Sequence, residues 1–168
     1  MIDLANIREL IPEAIFEPRY FSTNNVLKRV LSADDSVQLE ATAAKQLRKA
    51  CDDFKDLGLT PVFWDLYRKR EVQLQLLTFN SDPRYVLGAD ESNHVKGLAV
   101  DMTLAYPSGV YLDMGTDFDD FSDRAHADTQ SITPEQHSNR ELMAGVMAEY
   151  GFAQLPTEWW HFDYTQKI

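Results

Sequence analysis

The sequence predicts an α+β domain, in which a small antiparallel sheet has helices packed on it. Three segments show the helical recurrence of apolar residues, and one central segment alternates as a strand does. The predicted order is helix, strand, helix, strand, strand, helix, strand, which departs from the regular strand–helix alternation of a parallel sheet. The chain has 168 residues, 44% of them hydrophobic, with no repeat or linker, so we expect one domain over residues 1–168.

The first 35 residues hold short apolar clusters broken by prolines, and we expect mostly irregular chain there with short helical or extended pieces. From Val37 to Leu57, apolar residues recur every three or four positions, which predicts a helix. Asp35 or Ser36 is expected to cap its start, and Gly58 to end it.

The segment Thr60–Trp64 predicts a strand, with its proline at the beginning where it does least harm. Residues 71–79 predict a second helix, and residues 80–93 a polar loop. The core-facing side of this second helix is expected to consist of Val72, Leu76 and Phe79.

The central strand is predicted from Leu98 to Leu104, where apolar and smaller residues alternate. This pattern indicates a half-buried strand whose second face presents Asp101 over an uncrowded surface. His94 lies seven residues before Asp101 and has the opposite parity, so it is expected on the preceding loop, with Gly97 permitting the bend.

After the central strand, a turn at residues 107–109 is expected to return residues 110–112 as a hairpin. Residues 113–130 are rich in acids but lack the spacing of a calcium loop. Thr133 and Gln136 have the spacing of a capping box and predict the start of a third helix. A last strand is predicted over residues 159–164, and the helix side facing the core is expected to hold Leu142, Met143, Val146, Met147 and Tyr150.

The composition excludes several classes of partner. The net charge of −11 and the pI near 4.7 argue against a nucleic-acid binder and against attraction to anionic membranes. No apolar run is long enough for a membrane span, and Cys51 is the single cysteine, so neither an intramolecular disulfide nor a cysteine-rich zinc site is expected. The N-terminus lacks the pattern of a signal peptide, and we therefore expect a cytoplasmic protein with a small ligand.

Two imidazoles and one carboxylate with an open fourth position are typical of a catalytic zinc site. His94, Asp101 and His161 fit this set, and Glu158 fits a carboxylate that moves protons without binding the metal. Glu158 and His161 differ in parity, so either Glu158 precedes the strand or the strand is bulged. The alternative is that the histidines are structural and that the segment is an ordinary core strand.

The motifs as a group resemble the D-alanyl-D-alanine dipeptidases of the vancomycin-resistance type, which are related to zinc D,D- and L,D-peptidases and share the Hedgehog fold. The resemblance rests first on Ser-x-His-x-x-Gly-x-Ala-x-Asp at residues 92–101 and on Glu-Trp-Trp-His at residues 158–161. Segments 64–68 and 114–119 also resemble the family's motifs, as does the Asn-Arg pair at 139–140. Leu66 and Lys69 depart from the glycine and proline of the family around the arginine.

The resemblance implies one zinc ion per chain, held by His94, Asp101 and His161, with Glu158 as general base and acid. It further implies that Arg68 stabilises the oxyanion and that Asp119 holds the free ammonium of the substrate. Ser92 and Tyr20 match positions that line the substrate pocket.

The predicted function is that of a zinc dipeptidase that hydrolyses D-Ala-D-Ala or a similar small dipeptide by attack of a metal-activated water. The alternative is a zinc D,D- or L,D-carboxypeptidase or endopeptidase that acts on the stem peptides of peptidoglycan. A third reading is a non-enzymatic binding module, but such a module would be expected to have lost a ligand or Glu158, and this sequence retains all four residues.

Overall fold

The computed structural model describes residues 2–35 and 37–166, which have the predicted α+β architecture. Within them the strands are β1 (Leu4–Asn6), β2 (Ile15–Phe16), β3 (Gln38–Glu40), β4 (Thr60–Asp65), β5 (Ala99–Ala105), β6 (Phe152–Leu155) and β7 (Glu158–Tyr164). The helices are α1 (Ile7–Leu10), α2 (Ala41–Asp56), α3 (Arg70–Phe79) and α4 (Pro134–Glu149), with short 3-10 helices at Arg19–Phe21 and Asp123–Ala125. In this part of the chain, no helix is both long enough and apolar enough to span a membrane.

The main sheet has five strands in the order β2, β4, β5, β7, β6. All neighbouring pairs in it are antiparallel except β2 and β4, which run parallel. β1 and β3 form a separate two-stranded antiparallel sheet. Helix α2 packs against β4, and α4 packs against α2 and β6. The expected antiparallel sheet with helices is therefore confirmed, and β2 is its one parallel edge.

Helix α2 lies where the periodicity predicts it, but it starts later and has a different cap. Residues 38–40 form β3, and the side chain of Glu40 accepts hydrogen bonds from the backbone N–H groups of Thr42 (2.8 Å) and Ala43 (3.0 Å). The predicted Asp35 cap is wrong, and Ser36 lies outside the described residues. A carboxylate at this position satisfies two free N–H groups and faces the positive end of the helix dipole.

Two helical residues predicted to face the core are instead half exposed, Phe79 by 50% and Leu142 by 37%. The reason is that polar side chains take positions on the buried faces. Gln73 is buried on α3, and Arg140 is buried on α4. A pattern of apolar residues cannot reveal a face that buries an amide or a guanidinium. The capping box of Thr133 and Gln136 forms as predicted.

The central strand β5 is buried along its whole length, so the predicted half-buried strand is wrong. β4 and β7 flank it on both edges, and Asp101 lies opposite Asp65 on one side and His161 on the other. Asp101 therefore faces a crowded group of titratable side chains and not an open surface. Residues 110–112 pair back on the end of β5 through a bridge between Tyr111 and Ala105, with backbone hydrogen bonds on both sides of it, so the predicted hairpin is confirmed as a short one.

The strands on either side of Asp101 are both bulged at its level. In β4, Phe63 pairs with Met102 and Asp65 with Asp101, which leaves one extra residue between them. This extra residue turns Asp65 onto the face of the sheet that carries Asp101, although Phe63 and Asp65 would share a face in a regular strand.

The bulge in β7 resolves the parity problem of the Glu-Trp-Trp-His segment. Gln154 pairs with Phe162, whereas the next residue of β6, Leu155, pairs with Glu158. Adjacent residues of β6 point to opposite faces, so Phe162 and Glu158 also do. His161 precedes Phe162 and points away from it, which puts His161 and Glu158 on one face. The bulged alternative is the one that the structure adopts.

Candidate metal centre and active site

His94, Asp101 and His161 converge at the level of the two bulges. The Nε2 atom of His94 lies 3.2 Å from Nδ1 of His161 and 3.2 Å from Oδ2 of Asp101, and Nδ1 of His161 lies 2.9 Å from Oδ1 of Asp101. Within the described residues, this is the group of histidine and acidic side chains whose geometry could hold a metal ion. The three residues predicted as ligands are thus brought together.

In both imidazoles, the ring nitrogen that points away from Asp101 is hydrogen-bonded in a way that leaves the other nitrogen free to bind a metal. Nδ1 of His94 donates to the carbonyl of Leu66 at 2.7 Å, and Nε2 of His161 donates to the carboxylate of Asp163 at 3.0 Å. Each ring therefore keeps a proton on its outer nitrogen and turns the other nitrogen toward Asp101 as a site for a cation. Two nitrogens and one carboxylate oxygen are a donor set that suits zinc.

Gly97 allows His94 to reach the cluster from the loop before β5. Its φ is +69°, and a Cβ atom there would lie 2.9 Å from Cδ2 of Leu4 and 3.2 Å from the backbone nitrogen of Glu40. The carbonyl of Gly97 accepts a hydrogen bond from that same nitrogen at 2.8 Å. A side chain at this position would be strained and would separate the loop from β3. The predicted bend at Gly97 is confirmed.

Charges within the cluster shift the pKa values of its members. Burial opposes ionisation of Asp101, but His94 and His161 beside it hold the pKa of its carboxyl well below the usual range. Burial likewise opposes the charged form of His161, yet its bonds to Asp101 and Asp163 raise its pKa to about 10. The imidazole of His161 thus lies between two carboxylates that favour a positive charge on the ring.

Glu158 is the carboxylate next to this group. Its Oε2 atom lies 3.9 Å from Nδ1 of His161, and the residue is buried. Burial raises the pKa of its carboxyl to about 8, and the negative charges of Asp101 and Asp119 add to the rise against the positive charge of His161. A carboxyl group that changes protonation near neutral pH is suited to accept and return a proton.

Arg68 follows the end of β4 and is held on three sides. Its Nε and Nη2 atoms bind Oδ2 of Asp65 at 2.8 and 2.7 Å, and its Nη1 atom donates to Oε1 of Gln73 at 2.6 Å. The ring of Tyr20 lies against the guanidinium, with 4.9 Å from Cζ to the ring centroid. Nη2 also lies 3.8 Å from Oδ2 of Asp101, so the guanidinium borders the metal group with a fixed orientation.

Asp119 projects into the same cavity from the acidic segment. The hydroxyl of Tyr20 donates to its carboxylate at 3.2 Å, and the backbone N–H of Val26 approaches it at 3.4 Å. Its φ is +59°, a conformation that a non-glycine residue adopts only when its surroundings hold it there. Burial raises the pKa of its carboxyl to about 7, and the charge of Asp101 adds to this while Arg68 opposes it.

The segment that carries Asp119 is fastened by Arg140 of α4. The guanidinium donates to the carbonyls of Met114 (2.7 Å), Arg124 (3.0 Å) and His126 (3.1 Å), on both sides of Asp119. One side chain thus binds three carbonyls of this segment. Arg140 therefore fixes the path of a segment that has little regular structure of its own.

One cavity joins these groups, with a volume of about 790 Å³ including the space at its open mouth. The residues predicted from the sequence all line it, namely Tyr20, Arg68, Ser92, His94, Asp101, Asp119, Glu158 and His161. Ser92 is buried at the cavity wall beside Asn93, and an apolar wall is formed by α3 and the loop after it.

Sequence reasoning missed three residues that hold the predicted ones in place, Asp65, Gln73 and Asp163. Asp163 could have been found, since it lies two residues after His161 and therefore on the same face of a strand. Asp65 has the parity of Phe63 and reaches the site only through the bulge. Gln73 gives no signal in the sequence beyond its position among apolar residues of α3.

The comparisons of this sequence with known proteins agree on one family. The sequence model of peptidase family M15, described as D-ala-D-ala dipeptidase, matches residues 1–168. A D-alanyl-D-alanine dipeptidase of Escherichia coli K12 is 32% identical over 98% of this chain and 86% of its own length. A D-alanyl-D-alanine dipeptidase of Enterococcus faecium is 33% identical over 92% of this chain and 87% of its own length.

Solved structures support the fold. The LdcB LD-carboxypeptidase aligns with a TM-score of 0.54 at 19% identity, over 96% of this chain and 67% of that one. At this level of identity the likeness concerns the arrangement of strands and helices. The α+β fold predicted from the sequence is therefore shared with a known peptidase.

Proposed function

Because the chain belongs to the D-alanyl-D-alanine dipeptidase family of zinc metallopeptidases, we propose that it hydrolyses D-Ala-D-Ala or a similarly small dipeptide with a free amino terminus. The observation that carries the proposal is the grouping in one cavity of a three-residue metal set, a buried glutamate and a half-buried aspartate. The metal set, the glutamate and the aspartate each have a separate task in cleaving a short peptide.

His94, Asp101 and His161 would hold one zinc ion. When bound, zinc polarises a carbonyl group and lowers the pKa of water to about 7. The three residues contribute a geometry that their outer hydrogen bonds already fix, with the carbonyl of Leu66 orienting one imidazole and Asp163 the other.

Glu158 would act as the general base and then as the general acid. Its carboxylate accepts a proton from the attacking water and passes it to the nitrogen of the scissile peptide bond, which leaves as an amine. Its position 3.9 Å from Nδ1 of His161 and its raised pKa support this role. Burial keeps bulk water from competing for the proton.

Arg68 would donate hydrogen bonds to the oxygen that becomes negative as the peptide carbon turns tetrahedral. Its guanidinium borders Asp101, and Asp65 and Gln73 hold it from behind, so little reorganisation is needed when the charge develops. Such a donor typically contributes about 3 kcal/mol to lowering the barrier.

Asp119 would bind the ammonium group at the amino end of the substrate. The carboxylate is half-buried at the cavity wall, with Tyr20 and the backbone of Val26 behind it. A free ammonium would offset the cost of burying this charge, whereas an internal peptide nitrogen would not. This preference for a free amino end favours a dipeptidase over an enzyme that trims long stem peptides, and Ser92 would contact the bound dipeptide from the opposite wall.

The test compares the wild type with Glu158→Gln, each loaded with zinc. We expect both to bind one zinc per chain, since Glu158 is outside the ligand set, and we expect kcat on D-Ala-D-Ala to fall by about a thousandfold in the variant. Metal analysis and release of free D-alanine are the measurements. Unchanged turnover in the variant would refute the assigned base, and cleavage of muropeptides without cleavage of D-Ala-D-Ala would refute the substrate.

A further inference from the structure

Gln73 is a buried polar side chain on α3, between the arginine of the site and the loop that forms part of the cavity wall. Only 1% of its surface is exposed. Its Oε1 atom accepts from Nη1 of Arg68 at 2.6 Å, and its Nε2 atom donates to the carbonyl of Leu87 at 2.6 Å. One carboxamide thus joins two parts of the cavity that are distant in sequence.

The chemistry of the two partners fixes the identity of this residue. A guanidinium can only donate and a carbonyl can only accept, so the side chain between them must offer one acceptor and one donor. Glutamate would accept from Arg68 but would set an oxygen against the carbonyl of Leu87. Asparagine is one methylene shorter, and methionine of the same length provides neither bond. Glutamine is the residue of this length that satisfies both partners.

The loop that Gln73 holds is attached to the rest of the protein mainly through side chains, since Val86 is buried, Tyr85 packs on Phe121 and Thr157 donates to the carbonyl of Arg84 at 3.1 Å. Residues 80–92 contain no helix or strand, and their side chains Pro83, Tyr85 and Leu87 line the cavity. An exposed ion pair between Arg70 and Asp90 also ties the loop to α3, but such a pair contributes little in water. Among these contacts, the hydrogen bond from Gln73 is the one that connects this wall to the arginine of the site.

We propose that Gln73 is a positioning residue that couples the orientation of Arg68 to the placement of loop 80–92. The proposal rests on the proposed function for the role of Arg68, whereas the restraint of the loop does not depend on it. In this arrangement the carbonyl of Leu87 orients the amide of Gln73, and the amide orients the guanidinium of Arg68. Loss of the amide would leave the guanidinium of Arg68 with Asp65 and the ring of Tyr20 and would loosen the wall.

The first test is a double-mutant cycle on D-Ala-D-Ala hydrolysis. Gln73→Met should lower kcat about ten- to hundredfold in the wild type, while changing kcat less than about threefold in the Arg68→Ala background. A residue that only stabilises the fold would lower kcat equally in both backgrounds, and that result would overturn the coupling. Gln75→Met is the matched control, because Gln75 lies on the same helix and bonds only the carbonyls of Leu31 and Glu71; it should leave kcat unchanged.

The second test measures the loop without any substrate. Limited trypsin digestion should cleave after Arg84, within the loop, about three- to tenfold faster in Gln73→Met than in the wild type or in Gln75→Met. Gln73→Glu keeps the bond to Arg68 and loses the one to Leu87, so it should accelerate cleavage with a smaller loss of kcat than Gln73→Met.

The two tests separate the proposals. Equal cleavage rates in all variants would show that Gln73 does not restrain loop 80–92 and would overturn its positioning role, whatever the activity of the variants. Faster cleavage in a protein that hydrolyses no dipeptide would overturn the proposed function and support the restraint of the loop.

Discussion

The strongest test of the candidate metal centre concerns Asp163. This residue is not a predicted ligand, but it should govern metal affinity because it orients the predicted ligand His161. Its carboxylate accepts the hydrogen bond from Nε2 of His161 at 3.0 Å, which leaves Nδ1 facing Asp101. Asp163→Asn keeps an acceptor oxygen and removes the charge. Asp163→Leu removes the acceptor as well and leaves a buried N–H group without a partner.

The expected changes in zinc affinity follow from the loss of the charge in the first variant and of the hydrogen-bond acceptor in the second. Carboxylates that orient a ligand histidine typically change metal affinity by about ten- to a hundredfold. Asp163→Asn should therefore raise the dissociation constant for zinc about tenfold, or about 1.4 kcal/mol, because the ring keeps its orientation and loses only the charge behind it. Asp163→Leu should raise it about a hundredfold, or about 2.7 kcal/mol, because His161 is then free to turn.

The assay is a competition for zinc between the protein and a coloured chelator at constant pH, with circular dichroism to verify folding. Asp56→Asn is the control, since it makes the same change in net charge at an exposed position at the end of α2. If Asp163→Leu bound zinc within about twofold of the wild type, the orienting role assigned to Asp163 would be wrong.

The remaining predictions concern the ammonium pocket, the protons of the metal set and the acidic segment. Asp119→Asn should raise KM for the free dipeptide about tenfold, because a neutral amide no longer offsets an ammonium charge. Competitive inhibition by the N-acetylated dipeptide, which has no ammonium group, should be unchanged. If the variant bound both compounds more weakly to the same extent, the pairing of Asp119 with the ammonium would be contradicted. Zinc affinity should rise about tenfold per pH unit from pH 6 to 8, because the pKa of His161 is about 10 and the metal must displace that proton as the pH falls below it; titrations that show no dependence would refute this. Arg140→Lys should lower the free energy of unfolding in urea by about 2 kcal/mol, because an ammonium cannot reach three carbonyls, whereas Arg70→Lys on the surface should change it little.

The grouping of the three candidate ligands could be predicted from the sequence because its chemistry is carried by residue type. His94, Asp101 and His161 are distinctive wherever they occur, and the order of motifs around them is shared with a known family. The local patterns also sufficed for α2, α4 and the strand around Asp101, since apolar periodicity over many residues depends little on distant contacts.

The sequence could not give the features that depend on contacts between strands. Whether Glu158 shares a face with His161 depends on the pairing of β7 with β6, which no local pattern encodes. The cap of α2 is similar, because Glu40 belongs to a strand whose partner is β1. The role of Gln73 could not be predicted for another reason. Its partners Arg68 and Leu87 are distant in sequence, and they are brought to it only by the packing of α3.

The two bulges beside Asp101 also restrict how such a chain can change during evolution. Regular pairing of β4 beyond Phe63 would place Trp64 opposite Asp101 and turn Asp65 to the face of Phe63. In β7, regular pairing from Phe162 back to Glu158 would likewise put Glu158 and His161 on opposite faces. The lengths of these two short segments should therefore be as constrained as the identity of the candidate ligands, whereas insertions and deletions should accumulate in surface turns such as that at residues 107–109. Among descendants of this chain, spacing in β4 and β7 should therefore be a marker of retained activity as informative as the presence of His161.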